Sequence, residues 1–229
     1  MNESGKLIAP HGEELFRDDF TRGLDAWHHE GIGSIDTVTW DDGTRALRLD
    51  CTGSRQGGAG CHAFCRTDFP DRIAIEYDLL VHQSNGLVIT FVAMQGLNGE
   101  DIISGLPARE GVFGDYVGDD ALMKSYHVSV SRYDDEGTHT GESNWRKNPG
   151  LKLVGQGPDL CEQIGRRYAI RIVKQGPHCQ LGVDGRLAHE FTDPDDTPEL
   201  LPTAGKTGFR AIGSLVIADI ANFRAIRLD

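Results

Sequence analysis

Side chains along most of this chain change character at every second residue, a period that admits β-strands and almost no amphipathic helix. In RIAIEYDLLVH the period sets Ile73, Ile75, Tyr77, Leu79 and Val81 against Glu76, Asp78 and His82. GLVITFVAMQG follows across Ser84-Asn85-Gly86, so an antiparallel hairpin is expected there. RRYAIRIVK and HCQLGVDGRLAHEF continue the pattern, with Asp184-Gly185 as a two-residue turn. Counting LFRDDF, TWDDGTRALRLD, GCHAFCR, SYHVSVSRY and the closing TGFRAIGSLVIADIANFRAIRL gives roughly a dozen strands at sandwich spacing. Glycine, 29 of 229 residues, is nearly double its usual share of about 7% and supplies the many turns such a fold needs. The expected fold class is all-β, a two-sheet antiparallel sandwich forming one domain over residues 1–229.

Charge narrows the partners. Against 35 Asp and Glu the chain sets 23 Lys and Arg, a net −12, which argues against nucleic acid. No run approaches the roughly 18 apolar residues of a membrane span, and the first residues lack a secretory apolar region, so no membrane partner and a cytoplasmic location are expected. Cys51, Cys61, Cys65, Cys161 and Cys179 form an odd set without CxxC spacing and read as reduced thiols, with no zinc site. Asp119-Asp120, Asp134-Asp135 and Asp193 to Asp196 read as solvated turns, a structural calcium in one of them being the alternative; no other cofactor is implied.

Polar side chains gather on a few strands. In SYHVSVSRY the alternation sets Tyr126, Val128 and Val130 against His127, Ser129, Ser131 and Tyr133, which are expected to share one face. GCHAFCR sets Cys61, Ala63 and Cys65 against His62, Phe64 and Arg66, which would add an imidazole, a ring and a guanidinium if both strands belong to one sheet. Gln95 and Met94 end their strand near the rim. ESNWRKNPG concentrates Asn144, Trp145, Arg146 and Lys147, groups that bond hydroxyls, stack on a sugar ring and neutralise an anion; capping of a loop is the other reading. The stretch from Gly96 to Lys124, carrying Arg109, Phe113, Asp115 and Tyr116, is long for a connection, and lid or groove wall stands beside decorative insertion.

FRDDF, LDAWHHEG, SYHVS, NWRKNPG, VDGRLAHEF and GFRAI…IANFRAI occur in an order that resembles the YesU-like family, a domain of unknown function with a concanavalin A-like jelly-roll fold. The resemblance runs over nearly the whole chain and implies a concave-sheet carbohydrate groove, in proteins linked to breakdown of plant cell-wall polysaccharides such as rhamnogalacturonan. A β-elimination on a uronate sugar would need a carboxylate neutraliser, a base and an acid, for which Arg146 (or Arg66), His127 and Tyr133 are the fitting residue types. His62, Phe64, Arg66, Gln95, Ser129, Ser131, Asn144, Trp145 and Lys147 would bind the oligosaccharide. Hydrolysis by Glu76 and Asp78, or sugar binding without catalysis, are the alternatives.

Overall fold

The protein is described here by a computed structural model covering residues 5–52, 59–194 and 201–229. Alternating strands bury one face each, and here two sheets laid face to face hide that one-sided apolar surface. Among the described residues, one sheet runs in the order β13 (Arg186–Thr192), β12 (His178–Val183), β11 (Arg167–Gln175), β6 (Ile73–Gln83), β15 (Ile217–Arg227), β4 (Arg45–Asp50), β3 (Ser34–Thr39), and β1 (Glu14–Asp18) also pairs with β15. The second runs β10 (Lys152–Pro158), β9 (Glu142–Asn148), β8 (Met123–Val130), β7 (Leu87–Gly96), β14 (Lys206–Ile212), β5 (Cys61–Cys65), β2 (Trp27–Gly31). Every pairing is antiparallel. We call them sheet A and sheet B.

Between them lies the core. Ile73, Ile75, Tyr77, Leu79 and Val81 of β6 face inward as their period requires, and the Tyr77 hydroxyl reaches the Thr90 Oγ1 of the opposite sheet at 2.6 Å. Phe209 stacks on Trp27 at 5.6 Å and meets the Tyr77 ring edge-on at 4.9 Å, so rings from both sheets interlock. All five cysteines are buried and free.

One expected hairpin is absent. β6 pairs with β11 and β15 while β7 pairs with β8 and β14, so Ser84-Asn85-Gly86 carries the chain from sheet A to sheet B. Asn85 ties this corner to the turn joining β14 to β15, donating to Ser214 Oγ at 2.9 Å and accepting from the Leu215 N–H at 2.9 Å. Period and turn residues announce a reversal but not whether it stays within one sheet. At Asp184-Gly185 the hairpin does form, with φ of 50° and 75° in the left-handed region that a type I′ turn demands.

Candidate functional site

Strand parity projects one set of side chains from the outer face of sheet B. β8 buries Tyr126, Val128 and Val130 in the core, which turns His127 and Ser129 outward. Register then sets Arg146 beside His127 and Asn144 beside Ser129 from β9, and Phe91 beside His127 from β7. On the far flank, Arg210 of β14 pairs with His62 of β5, and His62 with Glu30 of β2.

His127 is 2% exposed. The Asn148 carboxamide donates to its Nδ1 at 2.9 Å and to Ser125 Oγ at 2.8 Å, which places the imidazole proton on Nε2. Burial, with the Arg146 and Arg210 guanidiniums adding to it, pushes its pKa down to about 3, so the ring is neutral at ordinary pH. Arg210 is itself buried, its pKa lowered to about 10 by desolvation, with the Phe113 ring 4.2 Å from the guanidinium carbon.

The stretch between Gly96 and Lys124 lies across this face. Ile102, Tyr116 and Val117 pack with Phe64, Ile89, Phe91 and Met94 of the sheet in a second apolar cluster outside the main core. A carboxylate latches it: Glu30 accepts from Arg109 Nε at 2.9 Å, from Arg109 Nη2 at 2.6 Å and from the Tyr116 hydroxyl at 2.8 Å. Tyr116 also stacks on His62, with centroids 4.2 Å apart. Both His62 ring nitrogens are buried, and neither has a hydrogen-bond partner among the described residues. Its packing across the face fits the reading of lid or groove wall and not that of a decorative insertion.

Close backbone approach makes the latch reachable. Gly60 N–H donates to the Gly111 carbonyl at 3.0 Å, and a Cβ on Gly111 (φ 86°) would sit 2.5 Å from Gly31 Cα. Gly111→Ala is therefore expected to lift the loop from β2 and β5, read as faster amide exchange at Tyr116 and Gly118 with the β7 and β8 amides unchanged.

Several residues expected to share this face do not. Trp145 and Lys147 alternate with Asn144 and Arg146 along β9 and so point inward: Trp145 is fully buried against Phe191, and Lys147 pairs with Asp193 at 2.9 Å. Asp193 is likewise no solvated turn residue, since it also accepts from the Tyr126 hydroxyl at 2.6 Å; Asp195 and Asp196 lie outside the described residues. The parity of β8 fails at Ser131, whose φ of 51° ends the extended run. Tyr133 beyond it donates to the Glu162 carbonyl at 2.8 Å and packs on His139, away from His127. Gln95 follows a bulge at Ala93 (φ 53°) and is half-buried, and Met94 is the one packed beneath the loop. Arg66 is exposed past the end of β5, 3.4 Å from His28 Nδ1. Glu76 and Asp78 project from the outer face of sheet A, on the other side of the sandwich from His127, which removes the hydrolase reading built on them.

Arg210 and Glu30 join this face from outside the set of site residues that the sequence suggests. The signal for Arg210 was available, a lone cation inside the otherwise apolar strand GFRAI.

A two-sheet antiparallel sandwich of this topology is a jelly roll of the galectin-like kind. The chain belongs to the DUF1961 family, described as a domain of unknown function, which it matches over residues 15–225. It is 28% identical over 209 residues to the uncharacterized protein YesU of Bacillus subtilis (strain 168), covering 88% of this chain and 90% of that one. A Bacillus subtilis crystal structure of a protein of unknown function with a galectin-like fold superposes with a TM-score of 0.80 at 25% identity, over 96% of this chain and 98% of that one. At the level of fold alone, a LamA structure from Z. galactanivorans in complex with laminaritriose and laminaritetraose superposes with a TM-score of 0.58 at 13% identity, over 96% of this chain and 100% of that one.

Proposed function

We propose that this chain binds an oligosaccharide bearing a carboxylate on the outer face of sheet B, with the loop between Gly96 and Lys124 as its lid. The observation that carries this reading is the convergence of two guanidiniums, Arg146 and Arg210, on a neutral His127 in a chain of net charge −12. A guanidinium fork suits a carboxylate, His127 Nε2–H and the Asn144 amide suit hydroxyls, and the Phe113 ring suits the apolar face of a pyranose. The sugar complex of LamA, a protein of similar fold, supports an oligosaccharide as the ligand, and the carboxylate rests on the guanidiniums alone. Buried free thiols support a reducing compartment, for which we propose the cytoplasm.

Calorimetry on oligosaccharides of equal length, one acidic and one neutral, tests the reading. Arg146→Ala should weaken the acidic ligand about 10- to 100-fold, the worth of a charge-assisted hydrogen bond of about 1.5–3 kcal/mol, and leave the neutral one nearly unchanged. Equal binding of both ligands by the unmodified chain would overturn it.

Cleavage by β-elimination is a second reading, favoured by the direct pairing of His127 with Arg146. As the base His127 would need the other tautomer, its proton on Nδ1 and the Asn148 amide turned so that Oδ1 accepts it, which frees the Nε2 lone pair, while a bound carboxylate would offset the two guanidiniums. Tyr133 lies elsewhere, and the tyrosine over this face is Tyr116, whose hydroxyl burial and Glu30 hold protonated. Ultraviolet absorbance from an unsaturated product, abolished in His127→Ala, is the expected result; an unchanged spectrum across uronate polymers would exclude elimination.

A further inference from the structure

The outer face of sheet A carries a pocket of about 320 Å³, on the opposite side of the sandwich from His127. Arg171, Arg224, Glu76, Asp78, Ala169 and Asn222 are among the residues that line it. Glu76 accepts from Arg171 Nε at 2.6 Å and from Arg224 Nε at 2.6 Å, so two guanidiniums share one carboxylate and one positive charge is left over. Among the described residues, Arg171 Nη2 and Arg224 Nη1 make no hydrogen bond, while Arg17 at the rim is matched by Glu14. The charge at the other end is reversed: Asp78 accepts from Asn222 Nδ2 at 2.8 Å through Oδ2, and Oδ1 is without a partner among the described residues.

A bulge shapes this end. Register shifts between Ala221 and Arg224, and Asn222 (φ 50°) rises from the sheet to hold Asp78, the kind of irregularity that re-aims a side chain. Ala169, the register partner of Asp78, is small and exposed, which leaves the floor open. A small carboxylic acid with neighbouring hydroxyls fits both ends at once, its carboxylate on the two guanidiniums and a hydroxyl donating to Asp78. The volume lies at the lower end of the range for small-molecule sites, about 300–1,000 Å³, which suits one sugar ring and not a polymer.

We infer that this pocket is a second binding site, for a single hydroxylated carboxylic acid of the hexuronate class. It is separate from the sheet B face and does not rest on the reading given for that face.

The test is an NMR titration of the full chain with D-glucuronate, with D-glucose and glycine as controls. Expected are saturable shifts at the amides of Ala169, Gly185 and Asn222, and an affinity at least 10-fold weaker in Ala169→Phe, which fills the floor without removing a charge. Glucose shifting the same amides with equal affinity, or glycine displacing glucuronate at lower concentration, would overturn the assignment. So would absence of saturation, or shifts confined to the amides around His127 and Arg146, the latter supporting the sheet B site alone. The shift map needs no variant to fold, so a failure of Ala169→Phe leaves the outcome readable.

Discussion

Unfolding free energy should fall by about 4 kcal/mol or more between pH 7 and pH 5, because three buried histidines are folded in their neutral form. Burial pushes the pKa of His127 down to about 3 and of His189 to about 4, and drives His62 well below its ordinary 6.5, with Arg210 and Arg109 adding to the last. Each is nearly or fully buried. Unfolding releases each to about 6.5, so below that pH the unfolded chain takes up protons that the folded chain refuses. The stability they contribute is complete above pH 6.5 and is lost as pH falls toward the folded values. From pH 7 to 5 His127 and His189 each cost about 2 kcal/mol, together close to the whole stability of a marginal domain, and His62 adds a loss of the same sign. Carboxylates held low, such as Asp101 and Asp219, add a loss of the same sign at lower pH. Urea unfolding at the two pH values measures the difference directly. His62→Phe should shrink it, since it substitutes an apolar ring for an imidazole that burial between Phe64 and Tyr116 holds neutral. Equal stability at pH 7 and pH 5 would refute the neutral-histidine account.

Local periodicity was enough to orient most of the strands. It set Tyr126, Val128 and Val130 inward with His127 and Ser129 outward, and Cys61, Ala63 and Cys65 inward with His62 and Phe64 outward. Parity ends where the strand ends, and within β9 it separates neighbours. Ser131 turns into the left-handed region, so counting by twos to Tyr133 had no physical basis, and Trp145 and Lys147 alternate with Asn144 and Arg146 like any neighbours in a strand. The latch lay beyond local reading altogether. Arg109 and Tyr116 meet Glu30 from 79 and 86 residues away, and that contact depends on β2 and β5 being neighbours at the edge of sheet B, which a two-residue period does not encode.

Glu30→Ala is expected to open the lid while leaving both sheets intact. The carboxylate is 8% exposed, and its removal strands an Arg109 guanidinium whose side chain is 7% exposed together with the Tyr116 hydroxyl. Breaking a buried ion pair from one side costs about 3–5 kcal/mol because a charge is left without compensation. Here the charge has an exit: Arg109 sits on the loop itself, so lifting the loop returns the guanidinium to water and the cost falls on closure, not on the fold. Amide exchange at Gly105, Tyr116 and Gly118 should therefore rise about 100-fold or more, while amides of β6 and β15 keep their protection. Glu30→Gln retains an acceptor for Tyr116 and should produce a smaller rise. Acidic oligosaccharide should bind Glu30→Ala more tightly than the unmodified chain, since the closed loop covers Arg210 and His127 and opening it must otherwise be driven by the ligand. A uniform rise in exchange across both sheets would mean that Glu30 supports the whole sandwich. Fast loop exchange with unchanged affinity would mean that the ligand does not need the face beneath.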